Sequence, residues 1–438
     1  MGGVYGYEAD LGKRAQRKLN GSYKAGFAKA DITPRAGIAM AGYAAREHGA
    51  MGCHDELYAH VMVLEDSSRA IAIISLDLLE VTSQLACDLR KRVSKASRIS
   101  AENVFICATH THSGPLVSEW FGEEQNPDTI DRIVVGSVEA VQEAQGNLEL
   151  VQVRWGAGII EGIAKDRRSL QETPDPNLQV LGFYAGTSLI GCMVNFTLHP
   201  TVLGAQNLLY SADYPGYVRN FIARHYPCCK TLLLNGAAGN INIGYSADAS
   251  ALGEAMDFRT FAKAEEVGKA ISKEAISVLQ KSQIVKGVKV CVGSSTVKLP
   301  LKALPTLGEL EDQIFRLRGI QRVYVECVRD AIKKLDIEGR QELSMGLQAL
   351  SIGDVVLVGI PGEPFAEIGL AIKDGWPKNQ VMVVGYANGS FGYLPTLVAH
   401  QEGGYEAETT VFHPSMADVL VRDVRLLIGN LLVRERER

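Results

Sequence analysis

The sequence has little of several things that would announce a function. Only 3 Trp occur in 438 residues, aromatics make up 7%, and no apolar stretch reaches the ~18 residues that would cross a bilayer. No charged segment followed by an apolar one opens the chain, so no export signal is expected. Positive charge is not in excess: 45 Lys+Arg against 50 Asp+Glu give a net charge of -5, which provides no basic field for nucleic acid. The eight cysteines (53, 87, 107, 192, 228, 229, 291, 327) show no Cys-x-x-Cys spacing. Cys107, Cys192 and Cys291 sit inside apolar runs, where a thiol behaves as a small hydrophobe. Thiols used this way point to a reducing compartment and a cytoplasmic protein rather than to a disulfide framework. Internal repeats, low-complexity linkers, a Gly-x-Ser-x-Gly elbow and a P-loop are all missing.

What remains is a composition of 46% hydrophobic and 22% charged residues, ordinary for a globular protein. A chain of this length can bury about three quarters of its unfolded surface, so its core needs no metal staple. Any metal would then be present for chemistry. Residues 1–24 are polar and Gly-rich and are expected to form an arm, a candidate subunit contact in a homo-oligomer. From Ala25 onward, apolar runs such as Ala70 to Leu76, Val104 to Thr109, Leu189 to Thr197, Lys230 to Leu234, Val355 to Ile360 and Val381 to Val384 alternate with amphipathic stretches. Ile130, Val134, Val138 and Val141 recur at helical spacing, and further helices are expected around Ala251 to Gln280, Leu307 to Leu335 and from Ser415 on. Continuous Val/Ile/Leu runs suit strands buried on both faces. The expected architecture is α/β, a mixed, largely parallel central sheet flanked by helices, in a single large catalytic domain over residues 25–438. Residues 299–342 are a possible insertion.

In open α/β sheets ligands bind beyond the carboxyl ends of strands, and several of those ends carry unusual residues. Val104 to Ala108 runs into Thr109-His110-Thr111-His112-Ser113-Gly114-Pro115. In extended chain, residues two apart share a face, so His110 and His112 are expected to project together. A second run, Met193 to Thr197, ends at His199, and a third, Val355 to Ile360, leads into Pro361-Gly362-Glu363. The fourth, Val381 to Val384, leads through Tyr386-Ala387-Asn388 to Tyr393 and Tyr405. Of nine histidines three stand at strand ends, and two imidazoles plus a carboxylate with an open position form a catalytic zinc set. The Gly236 to Asn242 loop lacks the Lys and Ser/Thr of a phosphate cradle.

These segments, in order, resemble the neutral/alkaline non-lysosomal ceramidase family. The resemblance is carried by Asp31-Ile32-Thr33-Pro34, Met40-Ala41-Gly42-Tyr43, His54 to Ala59, Ser75-Leu76-Asp77, the Thr109 to Pro115 string, Asn195 to His199, Ser211-Ala212-Asp213, Pro361-Gly362-Glu363, Tyr386-Ala387-Asn388, Gly392-Tyr393 and Tyr405-Glu406-Ala407, across roughly Ala25 to His413. It implies a zinc amidase with Zn2+ held by His110, His199, Glu363 and Tyr393. It also implies that His112 and Tyr405 line the scissile bond and that an arginine of the Asp166-Arg167-Arg168-Ser169 turn contacts substrate, Arg168 being the one followed by serine. The implied substrate is a small-molecule or lipid-like N-acyl compound, with neither nucleic acid nor a transmembrane segment involved. Where the family has Gly-Asp-Val-Ser-Pro-Asn, this chain has Gly236 to Asn242, with Asn240 near the serine position and no matching Asp. The resemblance is to the catalytic domain, without the family's C-terminal β-sandwich. An esterase or lactonase on the same metal, and a non-catalytic metal-binding homologue, are the alternatives.

Overall fold

The computed structural model describes residues 23–376 and 380–437. Two sheets lie face to face with helices outside each. The larger, nine-stranded sheet contains β1 (Tyr23–Asp31), β2 (Tyr58–Glu65), β3 (Ala70–Leu76), β4 (Val104–Ala108), β5 (Glu149–Ile159), β6 (Asn177–Ala185), β7 (Ser188–Phe196) and β8 (Lys230–Asn235). These run in the order β8-β7-β6-β5-β1-β2-β3-β4, with Gln283–Ile284 added beside β5. The second sheet is four-stranded and sequential: β9 (Val290–Pro300), β10 (Glu342–Ile352), β11 (Val355–Gly359) and β12 (Gln380–Val384).

Alternation along each strand divides the core. On β3, Ile71 and Ile73 face the second sheet, while Ala72, Ile74 and Leu76 face helices α1 (Ser83–Ala96) and α2 (Pro127–Gly146). On β7, Met193 faces the second sheet, and Cys192 and Val194 face α3 (Tyr214–His225) and α4 (Phe261–Lys281). The outer face of the second sheet is covered from α5 (Leu307–Arg316), α6 (Gly319–Leu335), α7 (Ala366–Asp374) and α8 (Met416–Glu437). Each fully buried Val, Leu or Ile contributes roughly 1.5–3 kcal/mol relative to exposure. The helices start where the sequence satisfies their free N–H groups. Thr82 accepts from Leu85 N at α1, and Asn126 accepts from Thr129 N at α2, with Pro127 next.

The α/β class and the mixed sheet flanked by helices are as expected, but the pairing is less parallel. Only β7–β8 and β3–β4 in the larger sheet, and β11–β12 in the smaller, run parallel. The reason is the stacking of two sheets. With a sheet on one side and helices on the other, antiparallel strands are buried on both faces and read as the same unbroken apolar runs. Two strands were not anticipated. Tyr23 and Lys24, assigned to the N-terminal arm, open β1, and the rest of that arm lies outside the described residues. β10 is Glu-Leu-Ser-Met-Gly-Leu-Gln-Ala-Leu-Ser-Ile, alternating over its first half, and its start falls within the expected insertion. The helix expected over Leu307 to Leu335 breaks in two before Gly319, whose φ of +59 suits glycine. That helical pair is the connection between the adjacent antiparallel strands β9 and β10. All eight cysteines are unbonded, and no helix among the described residues is long and apolar enough to cross a membrane.

Candidate metal centre and its cavity

The carboxyl ends of β4, β7, β11 and β12 meet at one place. β4 stops at Ala108, and His110 takes a left-handed backbone (φ 71) that bends the chain sharply. The common direction of His110 and His112 therefore comes from this turn, and the expected extended alternation does not apply. The turn is clamped by the loop after β12: Ala108 N donates to Tyr386 O at 3.0 Å and Asn388 N to Ile106 O at 2.8 Å. Asn388 Oδ1 also accepts from Ile106 N at 3.0 Å, and the Tyr386 ring stacks on His110 with centroids 3.8 Å apart. Tyr386 and Asn388 are themselves left-handed (φ 55 and 65).

Each of three histidines is held the same way. The Nδ1 of His110 lies 2.6 Å from Leu79 O, that of His112 lies 2.9 Å from Gly42 O, and that of His199 lies 2.6 Å from Ala238 O. A backbone carbonyl can only accept, so Nδ1 carries the proton in all three and Nε2 presents a lone pair. The three ligand-capable atoms lie within 4.8 Å of one another, and all three residues are buried. His110 Nε2 is 3.3 Å from His112 Nε2. Glu363 Oε2 is 3.4 Å from His110 Nε2 and 3.3 Å from His199 Nε2. His199 Nε2 and Glu363 Oε2 are buried and have no hydrogen-bond partner. A cluster of acceptors with no donor between them fits a cation, and nitrogen and carboxylate oxygen are what zinc accepts. Burial and the neighbouring histidines push His112 far down, and burial with the Arg167 charge brings His199 to about 4, so both are neutral.

Tyr393 is set beside Glu363 by a short parallel pairing of Glu363–Pro364 with Tyr393–Leu394. Its ring centroid is 5.8 Å from that of Tyr405, the first residue of a short helix. Burial and then the Glu363 charge raise the Tyr393 pKa, with Arg167 opposing them. His110, His112, Glu363, Tyr393, Tyr405 and Arg167 all line one cavity with about 1180 Å³ of empty space, its mouth included. His199 is fully buried behind it.

Arg168 is not brought to this cavity. Its guanidinium binds Glu406 at 2.9 Å, Glu402 at 3.1 Å and the carbonyls of Ala399 and Gly403. Arg167 is the arginine at the site: its Nε binds Glu406 at 2.6 Å, while its Nη2 is buried without a partner. One sequence offers no signal to choose between neighbours in a turn. Sequence reasoning also missed the Tyr386 stack and the part played by Gly236 to Asn242. That loop supplies Ala238 O to His199, and Asn240 Oδ1 accepts from Ala366 N at 2.9 Å. A side chain at Gly239 would meet the backbone oxygen of Glu363 at 2.4 Å, so the loop needs glycine where it passes against the main chain of Glu363 and Pro364. Gly42 is needed for a similar reason, since a Cβ there would lie 2.5 Å from His112 Nδ1.

Fold and centre together define a two-sheet α/β protein with a buried His/Glu site at its strand ends. Residues 23–228 match the family profile described as neutral/alkaline non-lysosomal ceramidase, N-terminal. It is similar to the neutral ceramidase of Pseudomonas aeruginosa, 30% identical over 222 residues (44% of this chain, 32% of that protein). It is also similar to the neutral ceramidase of Mycobacterium tuberculosis, 25% identical over 217 residues (43% and 34%). The chain thus spans about a third of the length of the curated relatives it matches. The crystal structure of the Pseudomonas aeruginosa neutral ceramidase superposes with a TM-score of 0.78 at 22% identity, covering 95% of this chain and 75% of that one.

Proposed function

We propose that this protein is a zinc-dependent hydrolase that cleaves the amide bond of an N-acyl compound, the kind of bond its relatives' name denotes. The observation that carries the reading is the set of outward-facing Nε2 lone pairs beside the Glu363 carboxylate, buried and short of donors, opening on a cavity. His110, His199, Glu363 and Tyr393 would hold the ion. When bound, zinc there would supply a water acidified to a pKa of about 7 and a Lewis acid for the amide carbonyl.

The chain's own residues supply the rest. His112 is fixed as the Nδ1–H tautomer by Gly42 O, so its Nε2 can accept a proton at the cavity wall and return it to a leaving amine. Tyr405 adds a phenolic O–H to the same wall. Arg167, a permanent cation with a free N–H pair, can donate to an oxygen that gains negative charge as the carbonyl is attacked. Glu406, 1% exposed, keeps that guanidinium in place. The His110→Ala variant tests the reading. It should lose both bound zinc and hydrolysis of an N-acyl amine, and full hydrolysis without zinc would contradict it.

A further inference from the structure

One wall of the same cavity is polar in a way the reaction does not use. Glu80 directly follows Leu79, whose carbonyl orients His110, so this wall is fixed relative to the candidate metal centre. Glu80 Oε1 accepts from Ser118 Oγ at 2.6 Å. Its Oε2 accepts from Lys334 Nζ at 3.0 Å and from Ser390 Oγ, and Lys334 Nζ also donates to Ser390 Oγ at 3.2 Å. The Glu80 and Lys334 side chains are 15% and 27% exposed, and all four residues line the cavity together with His110 and Glu363.

Resting on the amidase reading above, we propose that this wall is a subsite for an uncharged, hydroxyl-bearing arm of the substrate, and that it selects against a bare alkyl chain. The count of hydrogen-bonding groups leads there. An ammonium has three N–H bonds, of which Lys334 spends two. Both serines spend their single O–H on Glu80. What the wall leaves over is one N–H donor and acceptor lone pairs on Ser118, Ser390 and Glu80, a donor beside acceptors and so the complement of a hydroxyl group. Charge argues against an ionic arm: Lys334 and Glu80 neutralise each other, and Asp330 nearby is paired with Arg329 at 2.7 Å. Glu119, also on the lining, is exposed and screened by water. A hydrocarbon chain laid on this wall strips water from the free groups without replacing it, at about 1–3 kcal/mol for each group left unpaired. Lys334 comes from α6, in the connection between β9 and β10, so the selecting residue sits on a segment that closing the two strands does not require.

The test uses the full chain loaded with zinc and two amide series. In one the acyl side carries alkyl arms of graded length, in the other the amine side does, and each amide is paired with its terminally hydroxylated counterpart. In at least one series the hydroxylated member should have the higher kcat/KM by about tenfold. Lys334→Met should erase that preference and Ser390→Ala reduce it, with melting temperatures showing that both variants fold. Equal turnover of both members in both series, or an unchanged preference in both variants, overturns the proposal. Absence of turnover with every amide counts against the amidase reading instead. The wall is then judged by thermal shift with the same pairs, where the hydroxylated member should stabilise the wild type more than Lys334→Met, and equal stabilisation overturns the proposal.

Discussion

At His110 the chain leaves a five-residue strand in a left-handed turn, and two neighbours hold the ring: the Leu79 carbonyl through Nδ1 and the Tyr386 ring by stacking. A non-glycine residue in that region costs of order 1–3 kcal/mol and persists where the surroundings over-determine it. Of the neighbouring arginines the structure brings Arg167 to the cavity and holds Arg168 away from it on Glu406, Glu402 and two carbonyls. Substituting Arg167 by Met, which leaves Glu406 paired with Arg168 at 2.9 Å, should lower kcat/KM by about 10²–10³-fold. Arg168→Met should change kcat/KM far less, and steady-state kinetics of the two variants checks the order. Acid stability is also set at this scale. His60 is buried beside Asp77 and Arg219, and burial, then the Arg219 charge, lowers its pKa from 6.5 to about 4. Between those values the unfolded chain binds a proton that the folded chain does not. This contribution is therefore complete above pH 6.5 and is lost as the pH falls toward 4, by about 3 kcal/mol. Urea unfolding across that range should show the slope, and His60→Gln should flatten it.

Among elements, the decisive junction is between β4 and the loop after β12, which ties the two sheets together at the site. Asn388 is its hinge pin: its side chain accepts from Ile106 N and from Arg90 Nη2 at 2.6 Å, and donates to Gln348 Oε1 at 3.0 Å. Asn388→Ala leaves the buried Ile106 N–H without that acceptor and should cost about 1–3 kcal/mol of stability. It should also weaken zinc binding through the displaced His110, measurable by chelator competition. A loss of stability with unchanged zinc affinity would show that the junction is structural alone. At this scale the sequence was legible wherever burial is two-sided. The apolar runs ending at Ala108, Phe196, Gly359 and Val384 marked their strands and, two to four residues beyond the first three, the sites of His110, His199 and Glu363. It was illegible where strands are antiparallel yet two-sided, since periodicity carries no sign of direction. β1 and β10 were lost for a different reason, small and polar residues interrupting their apolar pattern.

For the whole molecule, two stacked sheets place four strand ends at one cavity, and the helices outside act chiefly as cover. Sequence pattern and resemblance together named His110, His112, His199, Glu363, Tyr393 and Tyr405, and the structure brings all of these to one place. What they left out is what depends on distant packing: Arg167 rather than Arg168, the Ala238 carbonyl behind His199, and the α6 side chains that complete the cavity wall. Each is fixed by a contact between segments far apart in sequence, which no local spacing encodes. The central claim is that this convergence of lone pairs is a zinc site on which hydrolysis depends. Metal analysis of the purified full chain, followed by amide hydrolysis before and after chelation and zinc readdition, tests it most directly. About one zinc per chain, loss of activity on chelation, recovery with zinc, and neither metal nor activity in His199→Ala are expected. Undiminished hydrolysis by the metal-free protein, or wild-type zinc content in His199→Ala, would contradict it.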